Sequence, residues 1–346
     1  MLGDNAFCRA ASVAETLKQC AGSVEQLSPA RWKFRVSSGL DVSVEARVEE
    51  GWLLLSAGLL PGPCQPCVGT LWRWLEENGG LRGGVKFARL PGAKGVLARV
   101  ELPLDDDEID LGMRIQQAVL GFRSAAASHN GLSEGCRRGA EKQGETAAGP
   151  LWGANAPASN ESRNLPDPRA SKETGGQPTA QRQVTEEQPS PASLGLRDLC
   201  VGAGWECTEQ AGGRLVVQLD VPGAFHQAMV HQGAGGRVVL AAALPPCDGK
   251  TPQTCLHAVG LLLLRACGVI RMARAAAQVL EARADPRFEV VFDTAPCAPE
   301  LAHALCALSV ACRLCAEEAE VLQSDERIAR EYVARWGSEV ERDGQG

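Results

Sequence analysis

Apolar and polar positions alternate with period two from residue 31. Trp32, Phe34 and Val36 interleave with Arg31, Lys33 and Arg35, the pattern of a strand with one buried and one solvated face. Ser37-Ser38-Gly39 supplies a turn. The alternation then resumes, with Val42, Val44, Ala46 and Val48 between Asp41, Ser43, Glu45, Arg47 and Glu49. Basic side chains on one strand thus face acidic ones on the next, as expected on a solvated sheet face. Residues 52–59, WLLLSAGL, are continuously apolar and predict a third, central strand.

The period then changes. Val68, Leu71, Trp72 and Leu75 fall at i, i+3, i+4 and i+7, one apolar stripe of a helix over residues 68–78. Trp74 lies about 110° from that stripe at about 100° per residue, which predicts a second packing surface. A leading helix over residues 6–21, strands over 85–90 and 96–102, and a closing helix from 105 to 125 complete the unit.

The same order recurs further along. A helix over 194–203 precedes strands around Leu215, Val217 and Leu219, at 225–231 and at 237–244. A middle helix covers 251–267, and GVIRMAR at 268–274 echoes GVKFAR at 84–89. Residues 275–286 read as an insertion before a strand at 288–294 and a closing helix at 299–322. The expected fold is α+β: two copies of a helix–three-strand–helix–two-strand–helix domain with antiparallel sheets, at 1–125 and 194–322. In the second middle helix Leu256, Val259 and Leu263 make one stripe while Leu261, Leu262 and Leu264 project elsewhere. A helix apolar all round is covered on several sides. With Trp74 off its stripe, the economical expectation is that the two middle helices pack together as an intramolecular pseudo-dimer. An exposed groove for a client protein is the alternative.

Residues 126–193 are rich in Ser, Pro, Gly, Gln, Asn and Glu, too poor in apolar groups to offset their ordering entropy. They read as a disordered linker with a reach of about 45 Å. The charged tail, 323–346, holds Ile328, Tyr332 and Trp336 four apart on an amphipathic helix. That helix either docks on its own domain or binds a partner.

Composition narrows the function. A formal net charge of −7 and the lack of a Lys/Arg cluster argue against a nucleic-acid binder. The first residues lack the basic and apolar regions of a signal peptide. The apolar run at 258–264 is too short for membrane insertion, so the expectation is a cytoplasmic protein. The 14 cysteines are then mostly reduced thiols acting as small core hydrophobes.

No constellation makes a convincing catalytic, cofactor or metal site. Cys64-Gln65-Pro66-Cys67 opens a helix, where the dipole favours a thiolate, and the alternative functions are a thiol-redox protein using Cys64 and Cys67 or a purely structural pseudo-dimer. Three antiparallel strands precede it, however, unlike the βαβ setting of thioredoxin-like motifs. Cys312 and Cys315 share a helix face and read as core. His226 and His231, five apart on a strand, face opposite sides. His257 and His303 stand singly on apolar helices. Asp105, Asp106, Asp107, Glu108 and Asp110 suit a helix N-terminus.

The element order, with segments WKFRV, GWLLLSAGL and GVKFARLPGAKGVLARVELPL in the first copy and RLVVQLDV, RVVLAAALP and GVIRMAR in the second, resembles the class I type III secretion chaperones and YbjN-like domains. The resemblance covers about 6–125 and 194–322. It implies a non-enzymatic clamp for an extended segment of a partner protein, chaperone-like or scaffolding, with tandem copies replacing two subunits. The residues expected to meet a partner are Trp74, Leu261, Leu262, Tyr332 and Trp336. The long linker, the duplication and the many cysteines depart from that family.

Overall fold

The computed structural model describes residues 4–21, 23–37, 41–59, 66–90, 95–105, 108–142, 195–210, 212–221, 226–233 and 236–337. The first half runs α1 (Asp4–Ala21), β1 (Val24–Ser28), β2 (Arg31–Ser37), β3 (Asp41–Glu49), β4 (Trp52–Gly58), α2 (Val68–Gly80), β5 (Lys86–Ala88), β6 (Leu97–Pro103) and α3 (Leu111–Lys142). The second runs α4 (Leu196–Gly202), β7 (Cys207–Gln210), β8 (Arg214–Leu219), β9 (His226–Gln232), β10 (Val238–Ala243) and β11 (Cys247–Asp248). It continues with α5 (Gln253–Val269), β12 (Arg274–Leu280), β13 (Arg283–Phe292), α6 (Ala298–Ser324) and α7 (Glu326–Gly337).

The chain is α+β, with two antiparallel sheets in two similar halves. The first sheet has the order β1-β2-β3-β4-β6-β5. In the second, β7, β8, β9, β10 and β13 follow one another, and β12 pairs with β13. The two orders are the same apart from the two-residue β11, which also pairs with β13. In β2, Trp32, Phe34 and Val36 are buried while Arg31, Lys33 and Arg35 are exposed, as the alternation requires. Lys33 stands opposite Glu45 in the register, and Arg31 forms an ion pair with Glu45. Helices α1 and α3 pack on the first sheet, and α6 on the second.

Rather than the three strands expected, four precede α2, and four together with the two-residue β11 precede α5. The additional ones, β1 and β7, lie at sheet edges with mostly exposed side chains, so no alternating pattern marks them. The expected insertion at 275–286 is β12 and its hairpin to β13. Arg274–Ala277 are buried on both faces, which removes the period-two signal. The echo of GVKFAR in GVIRMAR is also displaced: Gly268 and Val269 end α5, and the strand begins only at Arg274. Helix α3 continues to Lys142, through the first part of the expected linker; residues 143–193 lie outside those described. Among the described residues no helix is long and apolar enough to cross a membrane.

Candidate functional site

The most organised polar chemistry lies where α2 and α5 meet. Helix α2 packs against α5 and β12, and α5 against β5. A helix C-terminus presents unpaired carbonyls and a partial negative charge, which cations satisfy. Neither helix has a basic residue in its own last turn. The other half supplies one in each case.

Lys86, the first residue of β5, sends Nζ to the carbonyls of Ile270, the C-cap of α5, at 2.6 Å and of Ala273 at 2.9 Å. Arg274, the first residue of β12, sends Nη1 to Leu81, the C-cap of α2, at 3.0 Å and to Val85 at 3.1 Å. Each cation is neutralised by a buried glutamate on the adjoining strand: Lys86 by Glu101 at 2.9 Å, Arg274 by Glu289 at 2.9 Å. Each glutamate also holds the arginine two residues before it, Arg99 at 2.5 Å and Arg287 at 2.8 Å. Arg99 in turn donates to Gly268 O at 3.1 Å, at the end of α5. An Arg-x-Glu on one strand and a long cation on its neighbour therefore recur in both halves. Such buried charges are costly unless paired; Arg99 Nε, Glu101 Oε1 and Arg274 Nη2 meet their partners as ion pairs without hydrogen-bond geometry.

Between these clusters sit Asn78 and Cys267. Asn78 Oδ1 accepts from Phe87 N at 2.6 Å, and Cys267 Sγ accepts from Ala275 N at 3.0 Å. Phe87 and Ala275 are the second residues of β5 and β12, so the two side chains do equivalent work. They also approach each other, with Asn78 Nδ2 3.9 Å from Cys267 Sγ and 2.9 Å from Ala275 O. Burial pushes the Cys267 thiol up, although Lys86 opposes this. Two residues before each cation the backbone is left-handed, at Gly84 (φ 68°) and at Met272 (φ 59°). Met272 N donates to Glu101 Oε2 at 3.2 Å, a bond that holds this strained residue in place. Away from this centre, Arg114 on α3 makes a bidentate ion pair with Glu300 on α6, both bonds 2.6 Å.

The residues expected to meet a partner are mostly enclosed by this chain. Trp74 is 6 % exposed, and Leu261 and Leu262 are buried in the same apolar core. Helix α7 lies along α5. Its Tyr332 is half-buried and its Trp336 ring lies under the Arg265 guanidinium, 3.2 Å from its centroid. The tail helix thus docks on its own half, and α7, α6 and α2 together account for the all-round apolarity of α5.

Where they are described, the remaining chemistry-bearing residues meet neighbours within the chain. Cys64 lies outside the described residues; Cys67, the residue before α2, has Sγ 3.1 Å from Thr70 Oγ1. Burial pushes Cys312 up to about 11 and Cys315 up to about 12, so both remain protonated thiols near neutrality. His303 meets Asp105 Oδ1 at 3.3 Å and the edge of Trp52, centroids 5.5 Å apart. Asp110 Oδ1 accepts from Met113 N at 2.9 Å, a helix cap as expected. Asp106 and Asp107 lie outside the described residues. Among the described residues, no three His, Cys, Asp or Glu side chains are grouped to hold a metal ion.

The sheets differ most in their outer faces, away from the core. On β2 and β3 that face carries Arg31, Lys33, Arg35, Asp41, Ser43, Glu45 and Arg47, with Trp52, Leu54 and Ser56 of β4 beside them. On β8–β10 it carries Val216, Met229 and Ala241, which are paired in one row, with Val239 beside them. Met229 is 38 % exposed, and Gln218 and Gln227 are exposed neighbours without charge. His231 borders the row opposite Val239; burial, then the charge of Arg214, lowers its pKa. This surface escaped notice in the sequence because β8 and β9 alternate like ordinary half-buried strands. Only the assembled sheet brings Val216, Met229 and Ala241 into one row. No protein-family model, curated protein or solved structure matches the chain.

Proposed function

We propose that this chain is a non-catalytic protein-binding module, chaperone-like or scaffolding, of the kind that its element order, leaving aside β1, β7 and β11, resembles in type III secretion chaperones. In this reading the two halves pair as an intramolecular pseudo-dimer. The outer face of β8–β10 holds an extended, weakly charged, aliphatic segment of a partner protein. The observation that carries the reading is the contrast between the two outer faces. A solvated face has no use for Val216, Met229, Val239 and Ala241 together, whereas an extended segment lying across them buries apolar surface at about 25 cal/mol per Å².

The reciprocal capping of α2 and α5 supports the pairing. Each helix end depends on a cation from the other half, so separating the halves would strand carbonyls and buried charges together.

The test is an array of short peptides probed with the full chain. Peptides rich in aliphatic residues and poor in charge should be retained by the wild type and lost with Met229→Lys. Glu45→Lys on the charged face should change nothing. Equal binding by wild type and Met229→Lys, or binding lost only with Glu45→Lys, would remove this assignment.

A further inference from the structure

The middle helices are alike in placement but unlike in shape, and the difference bears on which surface each can accept. Matching Asn78 with Cys267 puts Leu71 of α2 at the position of Gly260 in α5, and Trp72 at that of Leu261. At the helix crossing these unlike residues face each other. A Cβ built on Gly260 would lie 3.1 Å from Leu71 Cβ, tighter than an ordinary van der Waals contact, and in ordinary contact with Trp72 Nε1 at 3.5 Å. Trp72 Nε1 donates to Leu256 O across the same crossing at 3.0 Å. The first helix therefore contributes a bulky pair and the second a hollow with an acceptor beside it.

Resting on the pairing proposed above, we infer that the crossing makes the two halves selective for each other: the partner for each middle helix is the other half of the same chain, not a second copy of itself. Two first halves meeting in this geometry would place a leucine where glycine now stands, against Leu71 and Trp72. Close-packed interiors do not absorb such an insertion without displacement. Two second halves would set glycine against glycine and Leu261 where Trp72 now stands, leaving the volume of a leucine side chain and part of an indole unfilled and Leu256 O without the indole donor. Asn78 adds to the preference. Its amide serves Phe87 in its own half and Ala275 O across the crossing, a reach that the shorter Cys267 side chain, bonded to Ala275 N of its own half, would not supply to a second copy of its own half. Selectivity therefore comes from misfit of the like pairs as well as fit of the unlike pair.

The inference predicts a chain that closes on itself as a monomer of 36.5 kDa, and an exchange experiment in the full chain tests it. Gly260→Leu alone and Leu71→Gly alone should each lower the thermal midpoint by several degrees. The double exchange transfers knob and hollow between helices and should recover most of both losses. Losses that simply add in the double variant would overturn the selectivity, as would a wild-type mass of two chains by light scattering. If Gly260→Leu fails to fold, Gly260→Ala with Leu71→Ala gives the same comparison on a smaller scale.

Pairing itself is read separately through Asn78→Cys. The new thiol should be joined to Cys267 by a mild oxidant within one monomer, identified by peptide mass. That cross-link together with additive losses would sink the selectivity alone. Its absence, or its formation only between chains, would sink the pairing as well.

Discussion

Lys86 and Arg274 stand at the same place in the two sheets and satisfy the same need with different chemistry. The ammonium spreads its donors over Ile270 O, Ala273 O and Glu101. The guanidinium uses one nitrogen for Leu81 O and Val85 O and turns its remaining donors to Glu289. What the two positions share is reach, positive charge and a buried carboxylate, not residue identity. Asn78 against Cys267 and Gly84 against Met272 repeat the lesson. A fold can keep a polar interior while its sequence drifts, provided each replacement meets the same carbonyls and amides.

The comparison breaks most forcefully at the glutamates. Removing one partner of a buried pair strands the other charge, at a cost of about 3–5 kcal/mol. Glu289→Ala should reach the upper part of that range and Glu101→Ala should fall below it. Lys86 loses one of its three contacts and keeps Ile270 O and Ala273 O, whereas two of the three Arg274 nitrogens, Nε and Nη2, lose their carboxylate. Urea unfolding measures both; a larger loss for Glu101→Ala would mean that the two cations are not doing equivalent work.

The left-handed pair comes next. Gly84→Ala should destabilise by about 1–2 kcal/mol, the cost of a side chain in that conformation, and the new Cβ would also press on Val100 at 3.3 Å. Met272→Gly should move stability the other way, by about 1 kcal/mol at most, since relief of strain is offset by greater freedom of the unfolded chain. A Met272→Gly variant less stable than wild type would mean that the methionine side chain matters more than its backbone strain.

Acid sensitivity should separate the halves more gently. His231 and His257, both in the second half, have pKa values lowered from 6.5, burial being the main cause. Their neutral forms are favoured in the fold, so the unfolded chain binds more protons once the pH drops below 6.5. Stability is therefore retained above that value and lost as the pH falls from it towards the lowered folded values. Hydrogen exchange should show the second sheet loosening over this window, and His231→Gln should flatten the response. An unchanged profile would mean that acid acts elsewhere. The smallest effect on stability is expected from Met229→Lys, within about 0.5 kcal/mol, even as it abolishes peptide retention. A large loss of stability would place Met229 in the core instead of on an available face.

Much of the fold was legible where one face is wet and the other dry. Residues 31–36 and 42–48 became β2 and β3, the stripe through Val68, Leu71, Trp72 and Leu75 became α2, and both closing helices were found. Legibility failed where that contrast vanishes. β1 and β7 are exposed at sheet edges, and Arg274–Ala277 are buried on both sides. The candidate surface was less legible than the fold. Trp74, Leu261 and Leu262 were correctly marked as apolar beyond one stripe, yet their extra contacts come from this chain.

Local periodicity and residue chemistry alone determined the two α+β halves, the middle helices with more than one apolar side, and cysteines suited to packing. Those features depend on neighbours a few positions away, and a linear pattern records them. Which cation caps which helix, that Asn78 meets Cys267, that Leu71 meets Gly260, and that Met229 stands in a row with Val216 and Ala241 were decided only in the tertiary structure. Each joins segments whose mutual register, distance and solvent exposure exist only after the sheets and helices have assembled.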